Sequence, residues 1–325
     1  MPVSPCITGS YPRWNRQADT AAAIPDSRVT SFSLPGPACG KRRVGRLALL
    51  LAVLAGPALA DCDHFTPQGR PFHRASDNAS GTGGAPDWVI LCHAGQVVAF
   101  NPARNVPDWV AYRLRREDLI SPRTERREAY RPDPGVPLKH RVAEDDYRKT
   151  GYDRGHLAPA GSMKWSEAAM SESFFMSNMA PQVGAGFNRG IWRVLERKMR
   201  QWGCERGLLH VVTGPLYEDR ETTRLAVDMD GDGVDDNEIL VDVPSHFFKL
   251  ALDPGRMEAI AFILPNRKLA ADSLSGFLTS IDEIEARSRL DFLPNLLDEV
   301  EHDIERRVEP GLWGRPVAAA CRALH

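Results

Sequence analysis

Nowhere in these 325 residues does an unbroken apolar run approach the roughly 20 residues that a membrane-spanning helix requires. The most apolar stretch, Leu47 to Ala55, falls far short, so the expected mature chain has no membrane segment. Cysteine is sparse, six in all, and no two stand in the C-x₂₋₄-C spacing of a structural zinc site. Net charge is almost lacking: 41 Lys and Arg against 43 Asp and Glu leave −2, which by itself neither supports nor excludes a nucleic-acid partner. No segment repeats, which removes solenoids and other repeat arrays.

What is present begins with a leader. Lys41-Arg42-Arg43 and Arg46 precede the apolar run, and Ala58-Leu59-Ala60 closes it. A positive region, a short apolar core and an A-x-A site read as a secretory signal over about 41–60, ending at Ala60. Residues 1–40 read as an upstream extension rich in Pro, Ser and Thr. The expected product is exported, to a periplasm or to the exterior. Beyond Ala60 the chain keeps Cys62, Cys92, Cys204 and Cys321, an even number suited to an oxidising compartment. Four cysteines allow three pairings, and the sequence does not choose among them. The preferred pairing, Cys62–Cys92 with Cys204–Cys321, ties each end of the mature chain to its body.

The remainder suffices for one large domain. Residues 61–87, with a Gly-Thr-Gly-Gly string at 81–84, read as a flexible lead-in to a domain over 88–325. Branched and aromatic runs predict strands at Trp88–Cys92, Gln96–Phe100, Pro107–Leu114, Leu208–Gly214, Ser245–Leu252 and Ala259–Leu264. Helical spacing predicts helices at Trp165–Ser173, Asn188–Trp202, Ser273–Phe277, Ile281–Arg287 and Asp298–Arg307. Such mixing without regular βαβ alternation points to an α+β fold, a central antiparallel sheet with flanking helices. Residues 101–160 are net basic, mostly through Arg, as suits a phosphate backbone.

Chemistry concentrates between Tyr152 and Glu196. Asp153-Arg154-Gly155-His156 is followed by Ser177-Asn178-Met179-Ala180-Pro181-Gln182, and then by Asn188 through Glu196. Phosphodiester hydrolysis needs a base for water, a cation for the developing charge and a metal at the leaving oxygen. His156 is the candidate base, because an imidazole with an ordinary pKa near 6.5 is largely neutral at pH 7. Gly155 would permit a turn presenting its ring to a cleft. Asp153 is expected to orient Arg154 or a turn. On one continuous helix, Asn188 and Glu196 would lie along one side, about 12 Å apart in rise. That spacing suits a metal held by Asn188, with Glu196 orienting its waters, the way Mg²⁺ binds because it dehydrates reluctantly.

This ordered set resembles the sugar-non-specific DNA/RNA endonucleases of the ββα-metal group. Glu125-Arg126-Arg127-Glu128-Ala129-Tyr130-Arg131-Pro132-Asp133 is similar to the family's arginine-bearing segment; by that match Arg126 clamps phosphate, with Arg127 its rival if the register slips by one. Asn178 matches the family's site-supporting asparagine, and similarity extends from about Val89 to Pro294. The resemblance implies Mg²⁺-dependent cleavage of DNA and RNA to 5′-phosphorylated products, with Mn²⁺ as a substitute. A catalytically idle exported protein on this fold, binding nucleic acid or calcium, is the alternative.

One element departs from that family core. Asp228, Asp230, Asp232 and Asp236 occupy positions 1, 3, 5 and 9 of a Ca²⁺-type loop, with Gly233 at position 6. Position 12 is Ile239, and Glu238 comes one residue early. The acidic insertion at 226–242 is either a structural Ca²⁺ site over 228–238 or a solvated hairpin tip.

Overall fold

The computed structural model describes residues 62–74, 87–218, 223–225, 239–314 and 317–324. The leader, residues 61 and 75–86 of the lead-in, and the loop carrying Asp228, Asp230, Asp232 and Asp236 lie outside the described residues. In chain order the strands are β1 (Phe72–His73), β2 (Val89–Cys92), β3 (Val97–Asn101), β4 (Val106–Arg115), β5 (Tyr152–His156), β6 (Met179–Val183), β7 (Leu208–Leu216), β8 (Arg224–Leu225), β9 (Val241–Asp242), β10 (His246–Asp253), β11 (Glu258–Pro265), β12 (Leu278–Thr279) and β13 (Leu290–Asp291). The α-helices are α1 (Arg116–Ile120), α2 (Glu167–Glu172), α3 (Arg193–Arg206), α4 (Ile281–Ser288), α5 (Asp298–Glu305) and α6 (Ala319–Arg322).

Seven strands form a central sheet in the order β12-β11-β10-β7-β4-β3-β2, every pairing antiparallel. Side chains alternate across it with period two. Along β10, Phe247 and Ala251 enter one core while Phe248, Leu250 and Leu252 enter the other. Along β11, Ile260, Phe262 and Leu264 take the first side and Ala259, Ala261 and Ile263 the second. Because both faces are covered, these strands read as continuous apolar runs.

The first core gathers Ile191, Leu195, Met199 and Trp202 from α3 and the segment before it, with Leu157 and Met179 from the β5–β6 region. The second takes Ile281 and Ile284 of α4, Ile304 of α5, Phe65 and Phe292. Each core carries one disulfide: Cys62–Cys92 the second, with Cys62 fully buried there, and Cys204–Cys321 the first, tying α6 to α3. This is the preferred pairing.

Several elements differ from expectation. The Asn188–Trp202 helix is regular only from Arg193, and Gly184–Trp192 is a π-type turn broken at Ala185, Gly186 (φ +86°) and Gly190. Glycines in that stretch let the chain leave helical geometry. The helix at Trp165–Ser173 contracts to α2, whose cap Ser166 Oγ accepts Ala169 N–H. Ser273–Phe277 becomes a 3₁₀ turn over Leu274–Phe277. The acidic insertion is flanked by the β8–β9 ladder, not by helices.

Candidate active site

β5 and β6 pair antiparallel with Asp153 opposite Gln182 and His156 opposite Met179, and the chain then turns into α3. Two strands and a helix thus present the motif residues together. Gly155 lies inside β5, not in the expected turn. A Cβ there would fall 2.2 Å from Gln182 Cδ, so glycine is required by close packing across the ladder.

His156 is buried to 8 % exposure, with Phe174 edge-on at 5.0 Å and Tyr130 at 5.8 Å. Its Nε2 is buried without a hydrogen-bond partner among the described residues. Burial first, then the positive charges of Arg126 and Arg154, push its pKa down to about 3. The imidazole is therefore neutral at neutral pH, with one nitrogen unspent.

Arg126 stands 5.3 Å over the Phe174 ring and pairs with Glu128 at 3.0 Å. Arg154 stands 4.3 Å over the Tyr130 ring and donates to Glu144 at 2.6 Å. Asp153 does not orient Arg154. Its carboxylate accepts Asn188 Nδ2 at 2.8 Å and pairs with the Arg189 guanidinium. A cavity of about 570 Å³ is walled by Arg126, Tyr130, Arg154, Asp153, Asn188 and Arg189 among others. Arg126 and Arg127 are both exposed, and Arg127, His156 and Glu196 do not line that cavity.

Asn178 is fully buried: its Oδ1 accepts Ala158 N–H at 2.9 Å, and its Nδ2 donates to Ala158 O and Ser173 O. It thereby clamps the chain just beyond His156. Glu196 sits in the first turn of α3, and Asn188 precedes the break at Gly190. The two do not share one helix, so the expected drift and rise do not apply. Burial pushes the Glu196 carboxyl up, against the pull of Lys249, Arg200, Arg126 and Arg193.

The donor set fits a hydrated cation. Asp153 commits the Asn188 amide nitrogen, leaving the amide oxygen for a metal, and Glu196 offers a carboxylate for its waters. Among the described residues, the cluster of acids close enough to cage an ion, Asp282, Glu285 and Glu305, belongs to α4 and α5.

Sequence reasoning missed Tyr130, Glu144, Arg200 and Lys249. Lys249 left a readable mark, a lysine at a core-facing position of an otherwise apolar strand. Tyr130 and Glu144 come from irregular chain with no periodic signal.

A ββα unit with a buried neutral histidine between arginines, beside a large antiparallel sheet, is the architecture of a ββα-metal nuclease. Residues 77–299 match the family model of the DNA/RNA non-specific endonucleases, and the chain belongs to that family. It is 35 % identical over 209 residues to Endonuclease G, mitochondrial, of Homo sapiens, covering 62 % of this chain and 68 % of that protein. It is 34 % identical over 210 residues to Nuclease 1, mitochondrial, of Schizosaccharomyces pombe (62 % and 65 %). It is 33 % identical over 206 residues to Nuclease C1 of Cunninghamella echinulata (62 % and 81 %). The crystal structure of an EndoG/EndoGI complex is similar with a TM-score of 0.57 and 29 % identity, covering 67 % of this chain and 89 % of that one. The chain spans 65 % and 63 % of the length of the two yeast mitochondrial nucleases it matches. These relatives overturn the expected export to periplasm or exterior, since the yeast and human proteins are mitochondrial by name.

Proposed function

We propose that this chain is a Mg²⁺-dependent endonuclease hydrolysing phosphodiester bonds of DNA and RNA to 5′-phosphorylated and 3′-hydroxyl ends, through a nuclease domain over 88–325. The observation that carries this reading is the unpartnered His156 Nε2 under the charge of Arg126 and Arg154, two arginines that line a cavity together with Asn188.

His156 Nε2 accepts a proton from water as that water's oxygen attacks phosphorus. The bond from phosphorus to the 3′ oxygen breaks, the 3′ oxygen takes up a proton from solvent, and the 5′ oxygen stays with the phosphate. Arg126 and Arg154 face the negative charge that accumulates on the non-bridging oxygens. Asp153 orients Asn188, which would hold the Mg²⁺, and Glu196 would orient its water ligands. When bound, Mg²⁺ would supply positive charge to offset the negative charge that develops in the reaction. Mn²⁺ would serve in its place, having the same taste for oxygen ligands.

Digestion of supercoiled plasmid and of a transcribed RNA, each with Mg²⁺ and with excess EDTA, tests the proposal. Metal-dependent loss of both substrates, with ends that ligase accepts without prior phosphorylation, is expected. Intact substrates in Mg²⁺ would sink it.

A further inference from the structure

Lys249 is a lysine where the strand pattern calls for a hydrocarbon. On β10 it falls between Phe247 and Ala251, on the side that packs against α3 and the ββα unit, and it is 0 % exposed. Its Nζ donates to Leu157 O at 3.2 Å and lies 3.5 Å from Tyr112 Oη. It also stands 4.6 Å over the Trp192 ring, a cation–π contact at the entrance to α3. Trp192 in turn sends Nε1–H toward His156 O at 3.4 Å. The two carbonyls at and just after the candidate base are therefore held by one tryptophan and one lysine.

An ammonium with no water around it is costly unless an anion faces it. Burial pulls the lysine's pKa down, the Glu196 carboxylate opposes that, and the Arg200 guanidinium adds to it. Burial likewise pushes Glu196 up, and the largest cause opposing it is Lys249. Each of the two charged groups thus leans on the other, while packing alone would be met at lower cost by an apolar side chain. The lysine comes from the central sheet, the glutamate from α3 and the histidine from β5.

We propose that Lys249 is a positioning residue of the nuclease site, fixing the backbone at and beyond His156 from the central sheet and setting its positive charge toward Glu196. It touches no reacting atom; it acts through Leu157, Trp192 and Glu196. This rests on the nuclease reading above.

The test compares wild type with Lys249→Met, Lys249→Gln, Glu196→Gln and the Lys249→Met/Glu196→Gln double variant, by melting curves and by kcat and KM on a defined duplex. Lys249→Met should melt at or near the wild-type temperature yet lose about 10- to 100-fold in kcat, the scale set by small misplacements of catalytic groups, with KM little changed. In the Glu196→Gln background the same substitution should cost less than about threefold, because interacting residues are not additive. Lys249→Gln, which keeps a donor for Leu157, should fall between wild type and Lys249→Met.

A Lys249→Met enzyme with kcat within about twofold of wild type would overturn the proposal, as would losses that multiply independently across the two sites. Failure of both single lysine variants to fold would make Lys249 a packing residue and overturn it too. An inactive, folded wild type would instead overturn the nuclease reading, so the two failures are distinguishable.

Discussion

On one side of the central sheet Phe248, Leu250, Leu252 and Ile263 meet α4, α5 and Phe292 in a core of hydrocarbon, with Phe248 and Phe292 edge-on at 5.5 Å and the buried acids Glu285 and Glu305 carried by α4 and α5. On the other side the same β10 strand offers Phe247, Lys249 and Ala251 to α3 and the ββα unit, where Glu196, Arg200 and His156 are also drawn inside. The first side is built from period-two apolar residues and regular helices. The second keeps its apolar floor of Trp192, Phe187 and Phe247 but sets charged groups into it, and its helix starts through a broken turn. Hydrophobic burial is non-directional and forgiving, whereas a buried charge must be placed. One side therefore reports on stability and the other on chemistry, which substitutions can separate.

The largest expected effect is His156→Ala on the charged side. Losing a positioned base typically costs 10²–10⁴-fold in turnover, and the melting temperature should scarcely move. Near-normal turnover at neutral pH would show that another group activates water. On the apolar side, Phe248→Ala should do the reverse. A fully buried phenylalanine truncated to alanine costs about 3–5 kcal/mol by denaturant unfolding, with kcat per folded molecule unchanged. A kcat loss at full folding would merge the two sides into one unit.

The disulfides sharpen the contrast, one lying in each core. Cys62–Cys92 closes a separation of 30 residues and Cys204–Cys321 one of 117. In the chain-entropy model each stabilises by a few kcal/mol, and the longer loop by about 1 kcal/mol more. Replacing each pair by alanine and comparing unfolding free energies checks the order; equal losses would mean that the loops are already restricted in the unfolded chain.

The effect that is smallest at neutral pH concerns two buried histidines. His156 is pushed down to about 3 by burial and then by Arg126 and Arg154; His210 is pushed down to about 4, chiefly by burial, with its ring 3.3 Å from Phe65 O on the apolar side. Each folded pKa lies below the unfolded value near 6.5, so the unfolded chain binds more protons between those limits. Their stabilisation is complete above about pH 6.5 and is lost as pH falls toward 4 for His210 and 3 for His156, each by at most about 1.4 kcal/mol per pH unit. His156→Gln and His210→Gln should each make acid unfolding shallower, but only the first should alter the rate at pH 7. Unchanged acid sensitivity in His156→Gln would show that its ring is not held neutral by the fold.

Six strands of the central sheet were readable because each is long, apolar and rich in branched residues, and their ends moved by no more than two residues. β5 was not, since Tyr152-Asp153-Arg154-Gly155-His156 is polar and bears a glycine. It is a strand because Met179–Val183 pairs with it and because Gly155 admits the Gln182 side chain. The α3 start was misplaced for a related reason. Asn188 and Glu196 fit helical spacing, but the glycines around them and the Asp153 contacts to Asn188 and Arg189 favour a turn. The partnership of Asp153 with Arg154, adjacent in sequence, failed because Asp153 is committed to Asn188 and Arg189 while Arg154 pairs with Glu144 over Tyr130.

By itself the sequence determined the fold class, the family and the set of groups able to cut a phosphodiester, because residue type and order carry donor, acceptor and hydrophobic period. Only the tertiary structure decided which groups meet. Arg154 turned to Glu144 and Tyr130, Asp153 to Asn188, and Lys249, more than 50 residues beyond Glu196, came to rest inside the same core. Desolvation and distance set those relationships, and neither is a property of a position along the chain.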